Sequence, residues 1–204
     1  MTQTAAPSTT TDPRPLFQRA VVTAVAAAAA VRPNQLDDPT PCTEFDVRHL
    51  LGHLVAVLQR VAAVGRGDHP FSVPHVIEGV PDDGWPAAVR AAAEQAEDVW
   101  ADESVLSRLL TLPFGTLPGA AALASYTGEV TTHTWDLAVA TGQSPAWDPD
   151  VLTVGLAAIR AKLPSAGRGP QIPFADAVPV PPDAPVIDQL VAWQGRDPRW
   201  TAAG

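Results

Sequence analysis

The chain has 204 residues, 46% hydrophobic and 17% charged, which is one domain's length with enough apolar content to bury a sizeable core. Its 22 Asp and Glu against 13 Lys and Arg leave a formal charge of −9, which argues against unassisted binding to phosphate backbones or anionic lipid, so neither nucleic acid nor membrane is an expected partner. The single cysteine, Cys42, excludes an intramolecular disulfide framework and a cysteine-only zinc site, and suits a reducing cytoplasm.

Residues 1–12, rich in Thr, Ala, Ser and Pro, read as a disordered arm without core residues, so a single helical domain is expected over 13–204. From Pro15 to Val31 the composition favours helix, and Pro33 with Asn34 ends the run. Its Ala/Val stretch, Val21 to Val31, is too short to span a bilayer and, being mainly alanine behind a polar N-terminus, reads as a buried helix and not as a secretory signal. Asp46 is placed to N-cap a second helix reaching about Val64, with Gly65 and Gly67 behind it. Gly65 to Gly84 reads as a long surface loop, and a third helix is predicted over Trp85 to Ala101. Thr111 to Gly119 has room for a short extended piece. No proline interrupts Gly119 to Thr141 and Gly142 closes that segment, which predicts a long fourth helix. A fifth is expected over Val151 to Leu163, started by Asp148 and Asp150, and a last short one over Pro185 to Trp193. The prolines crowd the connections, above all Pro164 to Pro185, and no alternating stretch is long enough for a substantial sheet. An all-α bundle with extra short C-terminal helices and Pro-rich connections follows.

Within the second helix Val47, Leu50, Leu54, Val57 and Val61 form one apolar stripe at three- and four-residue spacing. His53 falls on the flank of that stripe, where a polar side chain is able to enter a space between helices, and His49 lies further round towards solvent. Taken alone, His53 reads as a hydrogen-bonded interior histidine. The fourth helix carries Glu129 and His133 four residues apart, stacked on one face and able to converge on one point. If His53 faces that pair, His–Glu–His holds a first-row divalent cation with a coordination position left open, as a catalytic site requires.

The segment TPCTEFDVRHLLGHL (Thr40 to Leu54), followed downstream by GEVTTHTWDLAVATG (Gly128 to Gly142), resembles the metal-binding family that includes the N-terminal domain of mycothiol-dependent maleylpyruvate isomerase, within the DinB-like superfamily. The tail motifs AVPVPPDAP and GRDPRW are similar to actinobacterial members of that family, and the arginine-rich, almost lysine-free composition, with Lys162 as the lone lysine, is the bias of a GC-rich genome. The resemblance implies a DinB-type four-helix bundle whose metal is held by His53, Glu129 and His133, the same three residues that helix spacing selects. Two positions depart from the family pattern. Phe45 stands where Trp is usual, and His49 where an acidic residue is common, which makes His49 a further candidate beside His53.

The resemblance also implies a low-molecular-weight thiol, mycothiol in actinobacteria, activated on a divalent metal, zinc first, for a transferase or isomerase acting on an electrophilic substrate. Isomerases of this kind carry a further C-terminal domain with substrate contacts, whereas about sixty residues follow the fourth helix here, so maleylpyruvate itself is not implied. Two other classes stay open: a small hydrolase using metal-activated water, which needs the same three ligands, and a non-enzymatic metal-containing binding module. A homodimer also stays open.

The remaining residues read more plainly. Cys42 is expected as a packed loop thiol, Ser125, Tyr126 and Trp135 as packing residues, and His69 and His75 as solvent-facing. Asp136 has two equal readings, solvated surface or a group that orients His133 or anchors Arg48.

Overall fold

The computed structural model describes residues 12–169 and 174–202, so nearly all of the expected N-terminal arm lies outside the described residues. Seven α-helices occur among them: α1 (Arg14–Ala29), α2 (Val47–Arg66), α3 (Trp85–Trp100), α4 (Ser104–Ser107), α5 (Gly119–Ala140), α6 (Pro149–Lys162) and α7 (Val186–Trp193). The strands β1 (Leu109–Leu112) and β2 (Gly115–Pro118) form one antiparallel hairpin in which Leu110 faces Leu117 and Leu112 faces Gly115. The all-α reading therefore stands. The segment 111–119, expected to hold a short extended piece, takes in the end of β1, the turn and all of β2, and α4, which was not expected, precedes the hairpin.

Four helices close the bundle, α1 and α2 each packing against both α3 and α5. Alanines make that possible on α1: Ala24 and Ala28 are fully buried, and their small side chains let the neighbouring backbones approach. The centre is filled by Phe17, Leu50, Leu54, Leu58, Trp100, Leu123 and Leu137. Outside it, α6 lies on α5, where Gly128 and Gly155 face one another with no side chain between the backbones, and α7 covers α6 through Leu190.

The start and end of α2 follow local chemistry. The Asp46 carboxylate accepts the His49 N–H at 2.8 Å, and Gly67 takes the left-handed conformation, φ 93°, that lets the chain leave the last turn. Of the two glycines expected behind the helix, Gly67 lies there, but Gly65 stays inside α2, with Trp100 of α3 packed on it and the Trp100 indole N–H reaching the Val61 carbonyl at 2.9 Å. By length and hydropathy α2 passes as a membrane span, yet its side chains are buried in this bundle on nearly every face.

That complete burial is the main departure from the one-stripe expectation. The segment 68–80, expected as a free surface loop, lies along α2 and covers its remaining side. Arg60 donates from Nε to the Pro70 carbonyl at 3.1 Å and from Nη2 to the Pro74 carbonyl at 3.2 Å, and the Ile77 N–H reaches the Gly52 carbonyl at 3.1 Å. A Cβ at position 52 would stand 2.4 Å from the Ile77 oxygen, so only glycine admits the loop there.

Candidate metal centre

Helix α2 brings His53, and α5 brings Glu129 and His133, to one point between them. One donor atom from each of the three lies within 4.8 Å of the other two. His53 and His133 are 5% and 7% exposed, and Glu129 is half-buried. The two imidazoles meet edge to face with centroids 4.7 Å apart, and Phe45 covers His53 at 4.9 Å.

Each imidazole is held through its Nδ1. His53 Nδ1 lies 2.8 Å from the His75 carbonyl oxygen, a pure acceptor, so that nitrogen carries the proton and Nε2 keeps its lone pair. His133 Nδ1 lies 3.1 Å from Asp136 Oδ2, which assigns the same tautomer. Among the described residues no protein group hydrogen-bonds either Nε2 or the Glu129 carboxylate. Burial first, then the neighbouring His133, push the His53 pKa down to about 2 against the pull of the His75 carbonyl. A neutral ring with a free lone pair is the form that binds a metal. Two imidazole nitrogens and one carboxylate are donors that zinc accepts readily, and three protein ligands leave a coordination position for a small molecule. The donor set fits a first-row divalent ion.

Asp136 is fully buried, which removes its solvated reading. It does not anchor Arg48, which pairs instead with Asp82 at 2.5 Å and Asp37 at 3.6 Å at the surface. Its partners are His133 and Arg196, the latter from Nε at 3.2 Å and Nη2 at 3.0 Å. Burial alone would raise its pKa, but Arg196 and His133 outweigh that and hold the carboxyl below its ordinary value. Cys42, Asp136 and His133 also bring donor atoms within 4.8 Å of one another. There the Arg196 guanidinium already meets the Asp136 charge, so this second cluster is an ion pair that backs His133.

The other candidates separate cleanly. His49 is turned to solvent and paired with Asp46 at 2.7 Å, away from the cluster. Cys42 is a half-buried loop thiol held above its ordinary pKa by burial. Trp135 is buried, Ser125 returns its hydroxyl to the Ala121 carbonyl at 2.8 Å, and Tyr126 is buried with no hydrogen-bond partner for its hydroxyl among the described residues. His69 is exposed and accepts the Phe71 N–H at 3.3 Å, as a loop residue. His75 is exposed as expected, but its ring stands 4.6 Å from His53 and its carbonyl holds that ring. Sequence reasoning missed this role because a backbone carbonyl carries no side-chain signature; the one available signal was Gly52 immediately before His53, which marks a close backbone approach.

Residues 17–138 match the family of the mycothiol maleylpyruvate isomerase N-terminal domain. The chain belongs to this family. The chain is also similar to two uncharacterized proteins from Mycobacterium tuberculosis strains, CDC 1551 / Oshkosh and ATCC 25618 / H37Rv, each 39% identical over 188 residues, covering 92% of this chain and all of the relative. The fold resembles the crystal structure of the mycothiol-dependent maleylpyruvate isomerase with a TM-score of 0.54 at 15% identity, over 72% of this chain and 65% of that one. For the mycothiol maleylpyruvate isomerase N-terminal domain family, the match takes in α2 and α5, the two helices that carry the donor cluster, and ends before α6.

Proposed function

We propose that residues 13–204 act as one metal-binding helical domain in which His53, Glu129 and His133 hold a divalent ion, zinc in the first place. On this reading the chain is an enzyme that uses a low-molecular-weight thiol of the mycothiol type as an S-transferase or isomerase. The observation that supports it most directly is the convergence of two lone-pair-bearing imidazole nitrogens and a carboxylate, in a chain of the mycothiol maleylpyruvate isomerase N-terminal domain family.

When bound, the ion supplies the positive charge that stabilises a thiolate at neutral pH, where a free alkyl thiol of pKa ~8.5 is mostly protonated. The protein's own residues do the rest. The His75 carbonyl and the Asp136 carboxylate keep both histidines in the ligating tautomer, and Glu129 brings one negative charge to offset the ion. Phe45 and the covering loop limit water at His53. The chain offers no sulfur nucleophile of its own, since Cys42 is half-buried with its thiol held protonated by burial. The attacking sulfur therefore comes from a cosubstrate, and the partner it attacks is a small electrophile.

The test uses the cobalt-loaded protein titrated with mycothiol. A new sulfur-to-cobalt charge-transfer band in the near ultraviolet is expected, and its loss in His133→Ala. An unchanged spectrum at saturating mycothiol, together with steady cleavage of an ester or amide panel, would replace this reading by a hydrolase that activates water.

A further inference from the structure

We propose that Arg196 is a positioning residue of the metal centre, and that residues 194–196, beyond α7, couple metal loading to docking of the C-terminal segment. The proposal rests on the metal reading given above. After α7 the chain turns back at Gly195, whose φ of 83° is left-handed and whose Cα side is closed by Ala175, so a side chain there would clash. The turn is tied by the Arg196 N–H to the Val191 carbonyl at 3.0 Å. It directs two side chains onto α5 on either side of the metal-binding histidine. Gln194 Nε2 reaches the Thr132 hydroxyl at 2.5 Å, and Arg196 engages both oxygens of Asp136. Its remaining terminal nitrogen donates to the Gln194 carbonyl at 3.0 Å, which fastens the guanidinium plane to the turn itself.

Asp136 and Arg196 are 0% and 8% exposed, so neither has water to replace a lost partner. Without Arg196, Asp136 keeps only the His133 contact among the described residues and is free to rotate about its last bond. With Arg196 in a two-point grip, Oδ2 stays where His133 Nδ1 needs it, and the imidazole holds its Nε2 towards His53 and Glu129. Outer partners of ligating histidines commonly account for about 10- to 100-fold in metal affinity. The family match ends at residue 138, so this support is supplied by a part of the chain outside it. Coupling of this kind is reciprocal: if the docked segment strengthens metal binding, the metal must strengthen docking by the same factor.

The experiment measures Co2+ affinity by chelator competition, the cobalt d–d spectrum, and backbone amide exchange over residues 190–198, with and without Co2+. Arg196→Gln is expected to bind Co2+ about 10- to 100-fold more weakly with an altered d–d band, and Arg196→Lys, which keeps the charge but not the fork, to recover part of the affinity. In the unaltered protein, loading should slow exchange of the 190–198 amides several-fold. Unaltered affinity and spectrum in a folded Arg196→Gln protein would overturn the proposal. If that variant fails to fold, absence of any Co2+ effect on exchange in the unaltered protein would overturn it instead. Failure of the metal reading itself would look different: the unaltered protein would then bind Co2+ no better than His53→Ala.

Discussion

His53 owes its state to three neighbours of different kinds: a backbone carbonyl that orders its proton, an imidazole that opposes its charge, and a phenyl ring that keeps it dry. Replacing any of His53, Glu129 or His133 by Ala should lower metal affinity substantially, since three donors leave none spare. Elemental analysis decides this, and full stoichiometric metal in the triple Ala variant would refute the assignment. A second consequence concerns the metal-free protein. Its His53 is neutral in the fold, with a pKa near 2, but takes a proton when unfolded at the ordinary value of 6.5. The unfolded state therefore binds the extra proton. The contribution to stability is complete above pH 6.5 and is lost as the pH falls from there towards 2, with a slope of at most ~1.4 kcal/mol per pH unit. Urea midpoints of the metal-free protein at pH 7 and pH 5 should differ more than those of His53→Gln. Equal pH dependence in the two would show that burial does not hold this ring neutral.

At the level of elements, the site depends on how the segment 68–80 lies on α2. Gly52 admits the Ile77 carbonyl, and Arg60 ties down Pro70 and Pro74, so that the intervening geometry delivers the His75 carbonyl to His53. Gly52→Ala puts a methyl group 2.4 Å from the Ile77 oxygen and 2.8 Å from a Val76 methyl. The loop must shift, at a cost of about 1–3 kcal/mol, readable as a lower urea midpoint. Faster exchange of the Ile77 amide should accompany it. Arg60→Met removes two hydrogen bonds from a buried cation while keeping an apolar stem, so it should loosen the same loop, with quicker proteolysis between residues 68 and 80 and weaker metal binding. A protease pattern matching the unaltered protein would mean that the loop is held by packing alone.

For the whole molecule, the bundle is expected to stand without the proposed metal. The apolar faces of α1, α2, α3 and α5 form a continuous core independent of any ion, unlike a zinc finger, whose fold has no other source of stability. Chelation should leave the helical circular-dichroism signal intact and lower the melting temperature, because a ligand that binds only the native state stabilises by RT ln(1 + [L]/Kd). Collapse of that signal on adding chelator would recast the centre as structural.

Much of this architecture was legible in the linear order of residues. Helix periodicity, the Asp46 and Asp148 caps and the glycine and proline punctuation located every helix but the one-turn α4 to within a few residues, because those signals act through local backbone geometry. The i, i+4 spacing of Glu129 and His133 likewise states a local fact, that both lie on one helix face. Their meeting with His53 depended on how α2 packs against α5, a relation that neither helix encodes alone. The same holds for the supporting groups. His75 contributes only a carbonyl, Asp136 could have faced water had α5 been rotated, and Arg196 lies 60 residues further along the chain from its carboxylate. Hydrogen bonds between distant segments are decided when packing removes water from the groups concerned, so the tertiary structure alone settled which polar residues were buried together around the two histidines.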